Sequence, residues 1–217
     1  MATPYLQLWA EEVASTQDLA RSELDSLPVV VAAQRQTAGR GRSGADWLSA
    51  PTALAVSLAF RPPVDDLRPF SLMAGVAAAR GLEGVSLKWP NDLLAGGAKV
   101  GGILVERADE VVIGMGVNLW WPDAPEGMGA LHEDDPGSGL HAQIAGLWAA
   151  ELMRLIESDG WPIDEYRSLC STLGREISWE PDGRGTAIDV TGKGALVVET
   201  PGGRQTLTSG AIRHLRH

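Results

Sequence analysis

Apolar positions along the chain fall into short blocks with two different periods. "YLQLWAEEVAS", residues 5–15, opens on a strand pattern. Ser15 and Thr16 then precede "QDLARSELDSL", which reads as a helix. Ser15 with Asp18 fits the S-x-x-D capping pattern, where a hydroxyl satisfies a free N–H of the first turn. The β-branched run "PVVVAA" (28–33) and the stretch "ALAVSLAF" (53–60) predict strands. Pro69 is suited to open a helix through "FSLMAGVAAARGL", with Phe70, Met73 and Ala77 on one face. "VSLKWP" is extended, because a proline disfavours the helical region for the residue before it. "GGAK" reads as a turn into "VGGILVE", and "EVVIGMGVNLW" as a further strand, which together suggest an antiparallel meander.

The long segment "WWPDAPEGMGALHEDDPGSG" has no period and is long enough to suggest a functional role. "LHAQIAGLWAAELMRLIES" is the clearest helix, with Leu140, Ile144, Leu147, Trp148 and Leu155 as its apolar stripe. Pro162 opens a last helix, "IDEYRSLCSTL". Beyond Leu173 the pattern becomes short strands separated by "PDGRG", "TGKG" and "PGGR", which suggests a small barrel. The expected division is therefore residues 1–173 and residues 174–217. The fold class expected is α+β: a mixed, mainly antiparallel sheet flanked by helices, then a small C-terminal β-barrel.

Composition narrows the function. The 217 residues are 44% hydrophobic and 21% charged, ordinary values for a globular protein. A formal net charge of -10 argues against general nucleic-acid binding, which needs a basic footprint. The single cysteine, Cys170, has no internal disulfide partner, which points to a reducing compartment and a cytoplasmic location. The N-terminal stretch lacks the pattern of a signal peptide, and no apolar run approaches transmembrane length. The four histidines have no metal-ligand spacing.

Against this acidic background, "QTAGRGRSGADW" (36–47) alternates glycine and arginine. Arginine offers a fixed fork of donors to carboxylate or phosphate, and glycine allows close backbone approach. The combination suggests a loop that closes over a small anion. Only three of the 18 basic residues are lysines, and two of them, Lys88 and Lys99, fall in "KWPNDLLAGGAKVGGILVE". A compact ammonium differs from a guanidinium, which suggests a specific task for Lys88 or Lys99.

Taken in order, Ser15-Thr16, Gln36 with "GRGRSGADW", "KWPNDL" with Lys99 and "GGILVE", and "GMGVN" resemble the biotin protein ligases, over nearly the whole chain. The resemblance is to the monofunctional form without a DNA-binding domain. It implies a class II synthetase-like catalytic domain (1–173) and an SH3-like C-terminal domain (174–217). It also implies a two-step reaction. Biotin and MgATP give biotinyl-5'-AMP and pyrophosphate, and a lysine of a biotin carboxyl carrier protein then attacks the mixed anhydride, releasing AMP. No DNA or membrane partner is implied, and the oligomeric state, homodimer included, stays open.

By the same resemblance Ser15, Thr16 and Gln36 serve biotin's ureido ring, Trp47 walls the apolar part of the site, and Gly101 or Gly102 lets a strand approach biotin. Arg40 and Lys99 contact biotin and the adenylate. Gly39, Gly41, Arg42, Asn91, Asp92 and Asn118 contact ATP or the adenylate. Lys99 and Arg42 are the catalytic candidates, Asp92 is a candidate Mg2+ or ribose contact, and Trp120 or Trp121 could stack on adenine. Two positions depart from the family pattern: Gln17 stands where asparagine is common, and Ala45, followed by Asp46, where a third loop arginine is common. The nearest alternative is a lipoate or octanoate ligase or transferase of the same superfamily, whose paired arginines before a triple glycine are missing here. A more distant one is a non-catalytic binder using the Arg-Gly loop.

Overall fold

The computed structural model describes residues 4–45, 47–63 and 69–215, so Asp46 lies outside the described residues. A seven-stranded sheet carries the first part of the chain, in the order β1-β2-β3-β7-β6-β5-β4. β1 (Leu6–Val13) and β2 (Val29–Gln36) are parallel, joined through helix α1 (Thr16–Ser22). β3 (Thr52–Phe60) is antiparallel to β2. After α2 (Phe70–Gly81), β4 (Ser86–Lys88), β5 (Asp92–Ala95), β6 (Ala98–Arg107) and β7 (Val111–Trp120) form the expected antiparallel meander. The turn from β5 to β6 is Gly96-Gly97, both at positive φ (57° and 85°), the geometry a two-residue hairpin requires.

Strand alternation decides which face each side chain serves. Val30, Ala32, Leu54, Val56 and Leu58 point to the main core, packed by α2 and by α3 (Gly139–Glu157). Val29, Val31, Ala59 and Val112 point to the other face and pack on Ala20 of α1. Two helix expectations are revised. Leu147 is 53% exposed, because the buried side of α3 runs through Ile144, Ala145, Trp148, Ala149 and Leu152. The last helix, α4 (Ile163–Leu169), stops four residues short of Leu173. There the Ser171 N–H donates to the Leu87 carbonyl at 2.7 Å, and Cys170 bridges Leu87, so the chain leaves the helix to join the edge of the sheet.

The C-terminal strands form a five-stranded antiparallel sheet. They are β8 (Glu176–Trp179), β9 (Gly183–Val190), β10 (Leu196–Thr200), β11 (Gly203–Leu207) and β12 (Ile212–His214). The strand order is β11-β10-β9-β8-β12, so β11 and β12 are its two edges. Trp89, 1% exposed, ties this sheet to the first: its backbone N–H donates to Thr172 Oγ1 at 3.1 Å and its indole N–H to the Gly194 carbonyl at 2.9 Å.

Candidate active site

A cleft of about 300 Å³ opens on the α1 face of the large sheet. Its floor is a consequence of strand register. Ala55 of β3 lies opposite Gly116 of β7, Ser57 opposite Gly114, and Gly102 of β6 opposite Gly116. Small residues thus share adjoining positions on three neighbouring strands, and they leave a trough where bulkier side chains would fill the face. Trp47 lies across it: a Cβ added at Gly116 would sit 2.6 Å from the indole ring, and one at Gly102 3.4 Å from it.

At one end the N-terminus of α1 supplies buried polar groups. Ser15 Oγ caps the helix by accepting from the Asp18 N–H at 3.3 Å, as its spacing predicts. Gln36 Oε1 accepts from the Thr16 N–H (2.7 Å) and from the Thr16 hydroxyl (3.0 Å), and Thr16 Oγ1 lies 2.8 Å from Ser57 Oγ. Both acceptor positions of the Gln36 amide are therefore used within the protein, and what Gln36 turns to the cleft is donor capacity. Gly39, expected at the nucleotide, sits beside this amide instead: a Cβ there would be 3.0 Å from Gln36 Nε2.

Cations line the rest of the cleft. Arg40, Arg42, Lys88 and Lys99 line the cleft against one carboxylate, Asp92, among the described residues. Lys99 Nζ pairs with Asp92 Oδ1 at 2.6 Å and lies 6.0 Å from the Trp47 ring centroid; Lys88 lies 3.8 Å from the other carboxylate oxygen. The segment without periodicity proves to have a positioning role. Lys99 N–H donates to the Gly127 carbonyl, and the Gly129 N–H donates to the Lys99 carbonyl, both at 2.9 Å, so the backbone of Lys99 is held on both sides. Arg42 donates to Asn91 Oδ1 (3.2 Å) and to the Gly210 carbonyl (3.3 Å). Arg40 makes a bidentate pair with Asp18 (2.8 and 2.6 Å), which holds the Asp18 carboxyl below its usual range and raises the guanidinium.

Most of the expected residues meet in this one cleft: Ser15, Thr16, Gln36, Arg40, Gly41, Arg42, Trp47, Asn91, Asp92, Lys99 and Gly102. Three expectations fall on residues that do not line the cleft. Gly101 turns away from the cleft, toward the Gly116 carbonyl and Leu93, so its lack of a side chain serves strand packing. Asn118 is fully buried, accepting from the Ala50 N–H (3.2 Å) and donating to the Gly129 carbonyl (3.1 Å); it pins two loops and does not line the cleft. Trp120 and Trp121 are not among the lining residues either. Asn91 and Asp92 line the cleft chiefly as anchors for Arg42 and Lys99. For magnesium the fit is poor: both oxygens of Asp92 face ammonium groups, and the described residues contain no group of three potential metal ligands.

Sequence reasoning missed Ser57, Gln17, Gly114 and the C-terminal Ala211 and Ile212, which also line the cleft. A signal for the floor was available, since small residues recur at every second position in "ALAVS" and "GMG" within otherwise bulky strands. None existed for Ala211 and Ile212, which arrive from a distant strand.

Fold and cleft together define an α+β protein whose trough offers amide and hydroxyl groups to a neutral polar group and the cations Arg42, Lys88 and Lys99 to an anionic one. Comparison with known proteins agrees. Residues 9–120 match the biotin/lipoate A/B protein ligase family, and residues 172–215 match the biotin protein ligase C terminal domain. The chain is 32% identical to the biotin–[acetyl-CoA-carboxylase] ligase of Mycobacterium tuberculosis, over 97% of this chain and 89% of that one. It is 30% identical to the enzyme of the same name from Paracoccus denitrificans, over 84% and 88%. The solved biotin protein ligase from Aquifex aeolicus in complex with biotin and ATP superposes with a TM-score of 0.81 at 27% identity, covering 97% and 99%. The chain belongs to the biotin/lipoate A/B protein ligase family.

Proposed function

We propose that this chain is an ATP-dependent ligase that forms biotinyl-5'-AMP and transfers biotin to a lysine of a biotin carboxyl carrier protein. The observation that carries the reading is the make-up of the cleft, which brings the amide and hydroxyl groups of Ser15, Thr16 and Gln36 together with Arg42, Lys88 and Lys99 gathered at Asn91 and Asp92. A carboxylate oxygen attacks the α-phosphorus of ATP, and the bond to the pyrophosphate oxygen breaks. Two anions approach each other in that step, so fixed positive charge lowers its barrier. Lys99 and Arg42 supply that charge in this reading, which their contacts with Asp92 and Asn91 in the cleft support. In the second step a lysine amine attacks the carbonyl carbon of the anhydride and AMP leaves with the electron pair. Trp47 and the glycine floor hold the apolar part of the ligand between them. Magnesium would enter with ATP, held by phosphate and water, because Asp92 is already engaged.

The lipoate alternative is disfavoured by the match of residues 172–215 to a biotin ligase C-terminal domain and by the relatives' names. The reading places the protein in the cytoplasm, with 1–173 catalytic and 174–217 a second domain that lends Gly210, Ala211 and Ile212 to the cleft. Thermal unfolding with ligands tests it. Biotin and MgATP together should raise the melting temperature beyond either alone, since a ligand at a hundredfold excess over Kd adds about 2.7 kcal/mol. An equal shift with lipoate would overturn the specificity.

A further inference from the structure

The Gly-Arg loop is a compact unit held from two sides. Within it the Gly41 N–H donates to the Ala45 carbonyl (2.7 Å), the Ala45 N–H to the Arg42 carbonyl (3.2 Å) and the Trp47 N–H to the Gly39 carbonyl (3.2 Å). These bonds make Arg42 and Trp47 move with the rest of the loop. On one side Arg42 donates to Asn91 and to the Gly210 carbonyl, which belongs to the C-terminal part of the chain. On the other side Arg40 reaches α1, where both oxygens of Asp18 accept from it, and Glu106 of β6 lies 3.4 Å from the same guanidinium. Arg40, Gly41, Arg42, Ala45 and Trp47 all line the cleft, whereas Asp18 is not among the lining residues.

The carboxylates that meet Arg40 are themselves held. Arg21, one turn further along α1, pairs with Glu106 (2.7 Å) and Glu110 (2.8 Å) and lies 3.6 Å from Asp18. The Asp18 side chain is 53% exposed, and a lone ion pair in such a place contributes little. Two features set this one apart: it is bidentate, which fixes direction as well as distance, and it belongs to a network of two cations and three carboxylates. We infer that Asp18 is a positioning residue for the proposed reaction: by gripping Arg40 it holds the loop 39–47 over the cleft, and so keeps Arg42 and Trp47 on the ligand. The inference rests on the proposed function and goes beyond it in giving Arg40 a task on the loop and Asp18 a task at all. The rival account, in which Arg40 leaves Asp18 for the ligand, predicts the opposite sign, because Asp18 would then compete with the ligand.

Two measurements on the full chain test it, one without ligand and one with. Asp18→Asn removes the charge and keeps the side chain's size, and the Ser15 cap survives because it uses the backbone N–H of residue 18. In the ligand-free protein, amide hydrogen exchange at Gly41, Ala45 and Trp47 should quicken about twofold to fivefold at low salt, the size of an exposed ion pair in a network. Leu19 and Glu23, whose amides are bonded within α1, should exchange as in the parent. Release of a sulfamate analogue of biotinyl-5'-AMP should quicken by a similar factor, and both effects should shrink as salt rises. Added to Arg40→Gln, Asp18→Asn should change neither rate further, since its partner is already gone. Four results would each overturn the inference: unchanged loop exchange in Asp18→Asn, slower release of the analogue, a full additional effect in the Arg40→Gln background, or quicker exchange throughout α1, which would make Asp18 a support of the helix alone. Quicker loop exchange together with a parent that does not bind the analogue would instead overturn the proposed function.

Discussion

In the proposed reaction Lys99 carries much of the chemistry of the site. Its backbone is held by Gly127 and Gly129, its ammonium by Asp92, and the Trp47 ring lies beside it. Lys99→Met keeps the length and apolar stem, and Asp92 retains Lys88 nearby, so the fold should survive. A charge-assisted contact is worth roughly 1.5–3 kcal/mol, which corresponds to about tenfold to over a hundredfold in rate. Adenylate formation should fall by that much, followed as single-turnover release of pyrophosphate, while the circular dichroism spectrum stays that of the parent. Near-normal release would remove Lys99 from the mechanism. At this scale both charged and neutral expected residues reach the cleft, but the signal that marked each differed. Arg40, Arg42 and Lys99 stood out because they break an acidic composition. Asn118 was expected at the nucleotide by resemblance of "GMGVN" to the family, and its burial and hydrogen bonds, which pin two loops, were not legible in the sequence.

At the scale of elements, Gly101 and Gly116 separate packing from function on adjoining strands. Alanine at 101 would meet the Gly116 carbonyl at 2.6 Å, a backbone atom held by the β6–β7 ladder. Gly101→Ala should therefore cost about 1–3 kcal/mol of stability. Alanine at 116 would meet the Trp47 ring at the same distance, but Trp47 is half-buried on an irregular loop and can swing away. Gly116→Ala should lose ligand affinity first, with a smaller change in stability; urea titration and ligand titration of the two variants distinguish the effects. The strands themselves were legible because β-branched runs and glycine turns are local signals. Helix ends were less so: α4 stops where Ser171 and Cys170 find partners on Leu87, a contact far away in sequence.

The junction of the two sheets carries a proton-linked term. His214 of β12 lies 3.1 Å from Thr172 Oγ1, and burial, with help from the Lys88 and Arg175 charges and against Asp92, pushes its imidazole down to about 4. Its ordinary value is near 6.5, so below that pH the unfolded chain takes up a proton that the folded protein resists. Stability should be full above pH 6.5 and fall as the pH drops toward 4. The loss from this group should be about 1–2 kcal/mol after allowing for its partial solvation. Denaturant titrations between pH 4 and 7 should show the slope in the parent, and His214→Gln should flatten it. An identical slope in the variant would mean that other groups carry the acid sensitivity.

At the scale of the whole molecule, the site joins parts that are remote along the chain. Thr16 and Gln36 flank the first crossover, Lys99 sits on the central meander, and Gly210 reaches Arg42 from the second sheet. The order of motifs made the overall reading accessible from sequence, while the contribution of the second sheet to the cleft was not, because Ala211 and Ile212 are ordinary residues made important by position alone. No helix among the described residues is long and apolar enough to cross a membrane. The central claim is that this cleft couples biotin to ATP, and exchange of labelled pyrophosphate into ATP measures that coupling directly. Biotin should be required for exchange, lipoate should not replace it, and Lys99→Met should abolish most of it. Exchange without biotin, or equally well with lipoate, would contradict the account.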